Sequence, residues 1–231
     1  MDAIAGMDLI GIGLYDVPEA ARLTRVRAPK IRRWVRGYNY AHDGQARHSE
    51  PLWRTVVPEF DGKVGLDFRD LTEIRVVGAL RAAGIGLPTI RLAIERAREI
   101  VGDERPLSTE TFRTDGKSIF LKLAGTSDDP VLLNLKSRQF GIQRLIEPSF
   151  KDLDFENSAA VRWWPAGRRK GIVIDPRRSF GQPIVADGGV PTSVLRDAVA
   201  AEGSVANAAR YFDLPPAVVR GALAYEESLA A

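Results

Sequence analysis

The chain has 231 residues, 45% of them hydrophobic, and a formal net charge of +3. That is enough apolar material for one large or two small domains with real cores, and no low-complexity tract interrupts it. Cysteine is absent, which excludes disulfides, thiolate metal sites and cysteine nucleophiles.

The remaining class markers are also negative. The two histidines, His42 and His48, lie in a polar run without companion ligands, so no metal or cofactor is expected. No apolar run is long enough to span a bilayer, and the N-terminus lacks a basic stretch followed by an apolar core. A cytoplasmic protein without a membrane partner is the expectation. Charge is unevenly spread: residues 191–231 hold three basic residues against five acidic ones. The basic excess therefore lies upstream, which suits one nucleic-acid face better than a uniformly basic protein.

Residues 1–13 (MDAIAGMDLIGIG) read as a lead-in. Gly11 and Gly13 are a fragment of a phosphate-loop pattern with no Gly-Lys-Ser/Thr after it, so nucleotide binding is not indicated. From Leu14 to Tyr38 the pattern predicts a helix-turn-helix. Asp16 can cap the first helix, with Pro18 and Glu19 in its first turn. Thr24–Arg27 fit the turn, a second helix starts near Ala28 or Pro29, and Gly37 can end it.

In that second helix Ile31, Trp34, Val35 and Tyr38 fall at offsets of three, four and seven, so they share one face. At about 100° per residue, Arg33 and Arg36 point the opposite way, with Lys30 and Arg32 on the flanks. Between Arg22 and Arg36 there are seven Lys or Arg and no acid. A solvated helix usually mixes signs to gain i,i+4 pairs, so an anionic partner is the economical explanation. The residues expected at double-stranded DNA are Arg25, Arg27, Lys30, Arg32, Arg33 and Arg36.

A polar loop, Asn39–Glu50, follows. Leu52–Val57 reads as a strand, Asp61-Gly62 as a turn and Leu66–Phe68 as the return, together a hairpin or wing with Lys63 at its tip and Arg54 near phosphate. A helix starting near Asp67 or Arg69 has Leu71, Ile74, Val77 and Leu80 inward. Gly84 and Gly86 stop it, and a further helix runs from Pro88 to Gly102.

Between 107 and 175 five short runs read as strands: Phe112–Thr114, Ile119–Leu123, Val131–Leu135, Val161–Trp164 and Ile172–Ile174. Turns are expected at Asp115-Gly116, Asp128-Asp129-Pro130 and Pro165-Ala166-Gly167. Trp163-Trp164 is more readily core than an exposed patch, and Asp152, Asp154 and Glu156 more readily a solvated strand edge than a Mg²⁺-holding nuclease site. Arg168-Arg169-Lys170 and Arg177-Arg178 form a second basic cluster. The last stretch predicts helices over 193–202, 204–211 and 216–227, with Ser204 as an N-cap. Their own helix-turn-helix turns outward only Arg220, against Glu226 and Glu227. That suits protein contact or dimerisation better than phosphate.

The expectation is an α+β, mainly helical chain. Residues 1–106 would form a winged helix-turn-helix DNA-binding domain, 107–170 a β-rich connecting segment and 171–231 a C-terminal three-helix, helix-turn-helix-like domain.

Two resemblances sharpen this. The run DLTEIRVVGALRAAGIGLPTIRLAIE, placed after a helix-turn-helix and wing, resembles the MerR-like winged-helix domains over residues 14–101. It departs from them in the Asn39–Glu50 insert and in lacking the long dimerising helix. The C-terminal stretch is similar to the bacterial domain of unknown function 433 in Asp175-Pro176, Gly181-x-Pro183, Val190-Pro191-Thr192 and Ala222-Leu223-Ala224-Tyr225. Asp187-Gly188-Gly189 stands where that family usually has Gly-Thr-Arg. A winged helix joined to such a domain resembles the larger VapB-type antitoxins.

The resemblance implies a homodimer that binds its own promoter and sequesters a PIN-like ribonuclease toxin. Arg168, Arg169, Arg177 and Arg178 are candidates to enter the toxin's carboxylate-lined site. The alternative is a MerR-like, ligand-responsive transcriptional regulator with a small-molecule pocket between residues 107 and 175. No nucleophile–base pair stands out, so an enzyme is not expected.

Overall fold

Caps and left-handed residues set the element boundaries in the computed structural model, which describes residues 11–59, 61–124 and 141–230. The fold is mixed α+β and mainly helical, and the chain divides into two units.

Among the described residues the first unit comprises 16–59, 61–124, 141–151 and 155–160. Helix α1 (Val17–Thr24) starts at Asp16, whose Oδ1 accepts the Glu19 N–H at 2.7 Å, and ends at Arg25, with φ 62°. Helix α2 (Ala28–Arg36) buries Ile31, Trp34 and Val35, as the periodicity predicts.

Directly after it, β1 (Tyr38–His42) pairs antiparallel with β2 (Gln45–Ser49), from Tyr38↔Ser49 to His42↔Gln45. Asp43 and Gly44 both have positive φ, 52° and 73°, which matches a two-residue hairpin turn to the twist of its strands. The hairpin therefore lies in the stretch read as a polar loop. The hairpin expected over Leu52–Phe68 does not form there. Leu52 and Trp53 are buried plugs instead, and the Trp53 indole donates to Asp70 Oδ1 at 2.8 Å. Arginines take backbone acceptors that a strand partner would have taken: Arg91 donates to Pro51 O at 2.8 Å and Arg98 to Leu52 O at 3.2 Å.

Helix α3 (Phe68–Ala82) opens on a reciprocal cap. Asp70 N donates to Asp67 Oδ1 at 2.8 Å, and Asp67 N donates to Asp70 Oδ2 at 2.9 Å. Leu71, Ile74, Val77 and Leu80 are its buried face. Helix α4 (Leu87–Val101) ends at Gly102, whose φ of 71° closes the last turn. A short 3₁₀ turn, Pro106–Ser108, leads to α5 (Glu110–Ala124), and α6 covers Gly141–Phe150.

Helix α5 corrects the reading of the middle segment. Phe112–Thr114 and Ile119–Leu123, taken as strands, are parts of this one helix. Its first turn is capped by Thr109 Oγ1, which accepts the Phe112 N–H at 3.1 Å. Phe112, Ile119 and Phe120 are buried along it. Asp115-Gly116 is not a turn. Gly116 is there for close packing, because a Cβ would meet Ile146 Cδ1 at 3.1 Å and the Phe112 ring at 3.2 Å. Val131–Leu135 and Asp128-Asp129-Pro130 lie outside the described residues.

Charges are buried beneath α3. Arg105 ion-pairs with Asp67, and Arg69 donates to Asp103 Oδ1 and to Ser108 Oγ, both at 2.8 Å. Glu73 Oε1 accepts the Ser108 N–H at 2.9 Å. Burial, reinforced by the negative charge of Asp67, pushes the Asp70 carboxyl up to about 7. Burial likewise pushes Glu73 up to about 8, against the attraction of Arg69 and Arg105.

The second unit comprises residues 11–15, 152–154 and 161–230 among those described. Strands β3 (Leu153–Glu156), β4 (Ala159–Trp163), β5 (Ile172–Ile174) and β6 (Pro183–Val185) lie in that order in one sheet. β5 and β6 pair antiparallel, with Ile172 opposite Val185. Residues 155–160, at the tip of β3 and β4, belong to the first unit.

Three helices follow, α7 (Thr192–Glu202), α8 (Val205–Tyr211) and α9 (Pro216–Ala230), close to their predicted bounds. Ser204 caps α8 as expected, accepting the Asn207 N–H at 3.1 Å. Val185, Leu195, Ala208, Ala209, Leu214, Val219 and Ala222 form their core. One expectation fails. Glu226 does not face outward with Glu227 but is buried, where it accepts from Thr192 Oγ1 at 2.5 Å and from Arg196 at 3.2 Å.

Candidate nucleic-acid interface

Helix α2 shows its two chemistries on opposite sides. Its apolar stripe is buried, while Lys30, Arg32, Arg33 and Arg36 are exposed. Trp34 is the anchor, 2% exposed, and it fixes the rotation of the helix and hence the direction in which the cations leave.

The cations form two rows. Arg32 and Arg36 line an open cleft of about 270 Å³ together with Asp16, Gly62 and Lys63. Lys30 and Arg33 line another, of about 330 Å³, with Tyr38 and Arg81. Lys63 thus joins the site, although not at the tip of a hairpin: the segment after the hairpin carries it beside Arg32 and Arg36.

Their partners decide how available these charges are. Among the described residues Arg27, Lys30, Arg32 and Lys63 make no ion pair or side-chain hydrogen bond within the chain. Unpaired cations clustered on one helix repel one another and gain nothing intramolecular in return. Arg33 lies over the Tyr38 ring at 3.9 Å, which holds its guanidinium to one side. Arg36 is occupied: it donates to Glu59 Oε1 at 2.8 Å and to Gly62 O at 2.6 Å. Arg25 is exposed at the left-handed turn between the helices.

Two basic residues escaped the sequence reading. Arg47 is exposed on β2, and it too makes no ion pair or side-chain hydrogen bond among the described residues. Asp43-Gly44 was the available signal for its hairpin, masked because the flanking strands are polar rather than alternating. Arg81, at the end of α3, donates to Ile85 O at 2.6 Å and borders the Lys30–Arg33 cleft. Nothing in local sequence ties it to α2.

In the second basic cluster Arg168 is held against its neighbours. Arg168 ion-pairs with Asp154 and lies 5.6 Å from the Trp164 ring centre, while the Trp164 indole donates to Asp154 Oδ2 at 3.1 Å. Burial would raise the Asp154 carboxyl, but those hydrogen bonds and the charges of Arg168 and Arg162 hold it below the usual carboxylate range. Arg168 therefore secures the base of β3. Arg169, Arg177 and Arg178 are exposed on turns. Trp163 is buried, as expected. Among the described residues no group of three or more carboxylates or histidines is placed to hold a metal ion, and no helix is long and apolar enough to cross a membrane.

Comparison with known proteins falls on the same part of the chain. Residues 13–94 match the family described as “Putative DNA-binding HTH domain”, a span that covers α1, α2, the hairpin, α3 and the first half of α4. The chain carries a helix-turn-helix domain. Over nearly its whole length it is also similar to a Mycobacterium tuberculosis (strain ATCC 25618 / H37Rv) protein named “Putative antitoxin VapB45”: the two are 25% identical over 223 residues, 92% of this chain and 93% of that one. The crystal structure of Rv2018 from Mycobacterium tuberculosis has the same fold, with a TM-score of 0.71 at 24% identity over 93% of this chain and 99% of that one. The helix-turn-helix is thus one part of a fold that a solved structure shares.

Proposed function

We propose that this chain is a DNA-binding antitoxin of a two-component toxin–antitoxin pair, a binding protein rather than an enzyme. The observation that carries the DNA half is the exposed face of α2, with Lys30 and Arg32 unpaired and Arg33 and Arg36 beside them. Arg forks read guanine in the major groove, and flanking cations hold phosphate. Arg25, Arg27 and Lys63 supply further phosphate contacts, and Arg47 extends the basic surface along the hairpin. The DNA is the chain's own promoter, so binding autorepresses its operon, and the site of action is the cytoplasm.

The toxin half rests on the similarity to the protein named VapB45. The partner is a PIN-like ribonuclease, whose acidic site suits Arg169, Arg177 and Arg178. Arg168 drops out of that set because Asp154 already holds it.

Footprinting on DNA from the chain's own upstream region tests the first half. Two protected half-sites about one helical turn apart are expected. Protection without sequence preference would remove autorepression. Replacing Arg169, Arg177 and Arg178 together by Ala, with no loss of affinity for the toxin, would remove the second half.

A further inference from the structure

A third cleft in the first unit, of about 790 Å³, shares no lining residue with the two beside α2. It is lined by the segment after β2, residues 50–56, and by Arg91, Glu95 and Arg98 of α4. Those three positions are four and three residues apart and so share one face of the helix. Glu104 and Arg105 complete the lining. The volume falls within the range of small-molecule sites, about 300–1,000 Å³. Apolar surface comes from Pro51 and from Val56, which is 40% exposed. Trp53 lines the cleft too, with its indole N–H taken by Asp70.

Charge in this cleft is sorted by depth. The side chains of Arg105 and Arg98 are 12% and 29% exposed, whereas those of Glu50 and Glu104 are 79% and 94% exposed. Arg105 is balanced by Asp67. The two α4 arginines have no such partner. Arg91 donates to Ser49 Oγ, Glu50 O and Pro51 O, and Arg98 to Leu52 O and Glu104 O, all of them neutral acceptors. The nearest carboxylate oxygen to Arg98 is that of the exposed Glu104, at 3.7 Å. Glu95, one turn from each arginine along α4, pairs with neither: it makes no ion pair or side-chain hydrogen bond among the described residues. Arg98 Nη1 and Arg105 Nε and Nη2 likewise make no hydrogen bond among them, and none of these atoms is sealed from solvent. They remain open to a ligand. Carbonyl dipoles only partly offset the cost of desolvating a guanidinium, and a carboxylate or phosphate offsets more of it through paired N–H···O bonds.

We infer that this cleft is a binding site for a small organic anion, a carboxylate or phosphate ester with an apolar body. The charged end meets the guanidinium groups of the α4 arginines and Arg105, and the body lies against Pro51 and Val56. Acids at the rim and cations at depth admit one anionic group on the inside and disfavour a polyanion across the mouth. The site therefore differs in kind from the exposed face of α2, and it does not depend on the DNA-binding reading.

The experiment is a heteronuclear NMR titration of the full chain, read at the indole N–H of Trp53, one of four tryptophans, with that signal assigned by Trp53→Phe. The probes are naphthoate, naphthyl phosphate, their neutral counterpart naphthamide, and inorganic phosphate. The Trp53 signal shifts saturably with an aryl anion, at least about tenfold more tightly than with naphthamide or inorganic phosphate. The tighter of the two aryl anions decides between carboxylate and phosphate. Arg98→Gln, which keeps a donor for Leu52 O, loses most of the affinity. Arg54→Glu, at an exposed lining residue with no ion pair among the described residues, weakens it severalfold at an unchanged melting temperature, so the test stands even where Arg98→Gln fails to fold. Arg32→Ala/Arg33→Ala/Arg36→Ala binds the probes as the wild type does, which separates this cleft from α2. No shift at Trp53 with any probe, equal affinity for naphthoate, naphthyl phosphate and naphthamide, or binding lost in the α2 variant and untouched in Arg54→Glu overturns the inference.

Discussion

The chain uses the helix–turn–helix arrangement twice, in α1–α2 and in α8–α9, and covers it with opposite surfaces. In the first pair Trp34 seats the helix and the cations stand outward, Lys30 and Arg32 without partners. In the second, the one well-placed acid, Glu226, is drawn into the core by Thr192 and Arg196, and what stands outside is Tyr211 and single charges of both signs. Each pair is two helices joined by a short turn with one left-handed residue, Arg25 in the first and Asp213 in the second. The proposed function assigns the first surface to DNA and the second to protein from this difference in side chains, because a helix-turn-helix pattern alone does not say which.

That contrast can be broken from either side. The largest effect comes from the anchors. Trp34→Ala removes a fully buried indole from beneath the cationic face and should cost about 3–5 kcal/mol of stability, taking DNA binding with it. Leu195→Ala, in the core beneath α8 and α9, should cost about 2–5 kcal/mol. Urea titration followed by circular dichroism measures both.

A smaller effect is pH-dependent and belongs to the first unit. Burial raises the Glu73 carboxyl from 4.5 to about 8, so the folded chain retains a proton that the unfolded chain releases. That contribution is complete below pH 4.5 and is lost as the pH rises through about 8. Glu73→Gln keeps an acceptor for Ser108 but cannot ionise. Its melting temperature should fall less than that of the wild type between those limits, and parallel curves would contradict the assignment.

The smallest effect sharpens the view of α2. Glu59 occupies Arg36 at an exposed pair worth about 0.2–1 kcal/mol. Glu59→Gln should therefore raise DNA affinity by no more than about fivefold, and only at low salt. A fall in affinity would mean that the pair positions Arg36 rather than competing for it.

Legibility in the sequence followed the locality of the cause. Asp16, Gly102 and Ser204 mark helix ends by short-range hydrogen bonds or backbone conformation, and they were readable. So was the face of α2, because Ile31, Trp34 and Val35 set it by spacing alone. The hairpin was misplaced because its strands are solvent-exposed on most positions and carry no alternation. Asp61-Gly62, flanked by apolar runs, gave the stronger signal, yet Trp53 is claimed by Asp70 and the 50–52 backbone by arginines of α4. Helix α5 was missed because β-prone residues such as Phe112 and Ile119 serve a helix core as well as a strand, and Gly116 answers to Ile146, far away in sequence. Glu226 was read as exposed for the same reason: its partners, Thr192 and Arg196, lie on another helix.

The central claim is that α2, and not the second helix pair, meets DNA. Fluorescence anisotropy across a salt series on DNA from the upstream region tests it most directly. It compares the wild type with Arg32→Ala/Arg33→Ala/Arg36→Ala and with Arg210→Ala/Arg220→Ala. The account predicts that the first variant loses specific binding and that its log–log salt slope flattens by about 1 for each phosphate contact removed, while the second behaves as wild type. Equal losses in both variants, or a wild-type slope in the first, would contradict it.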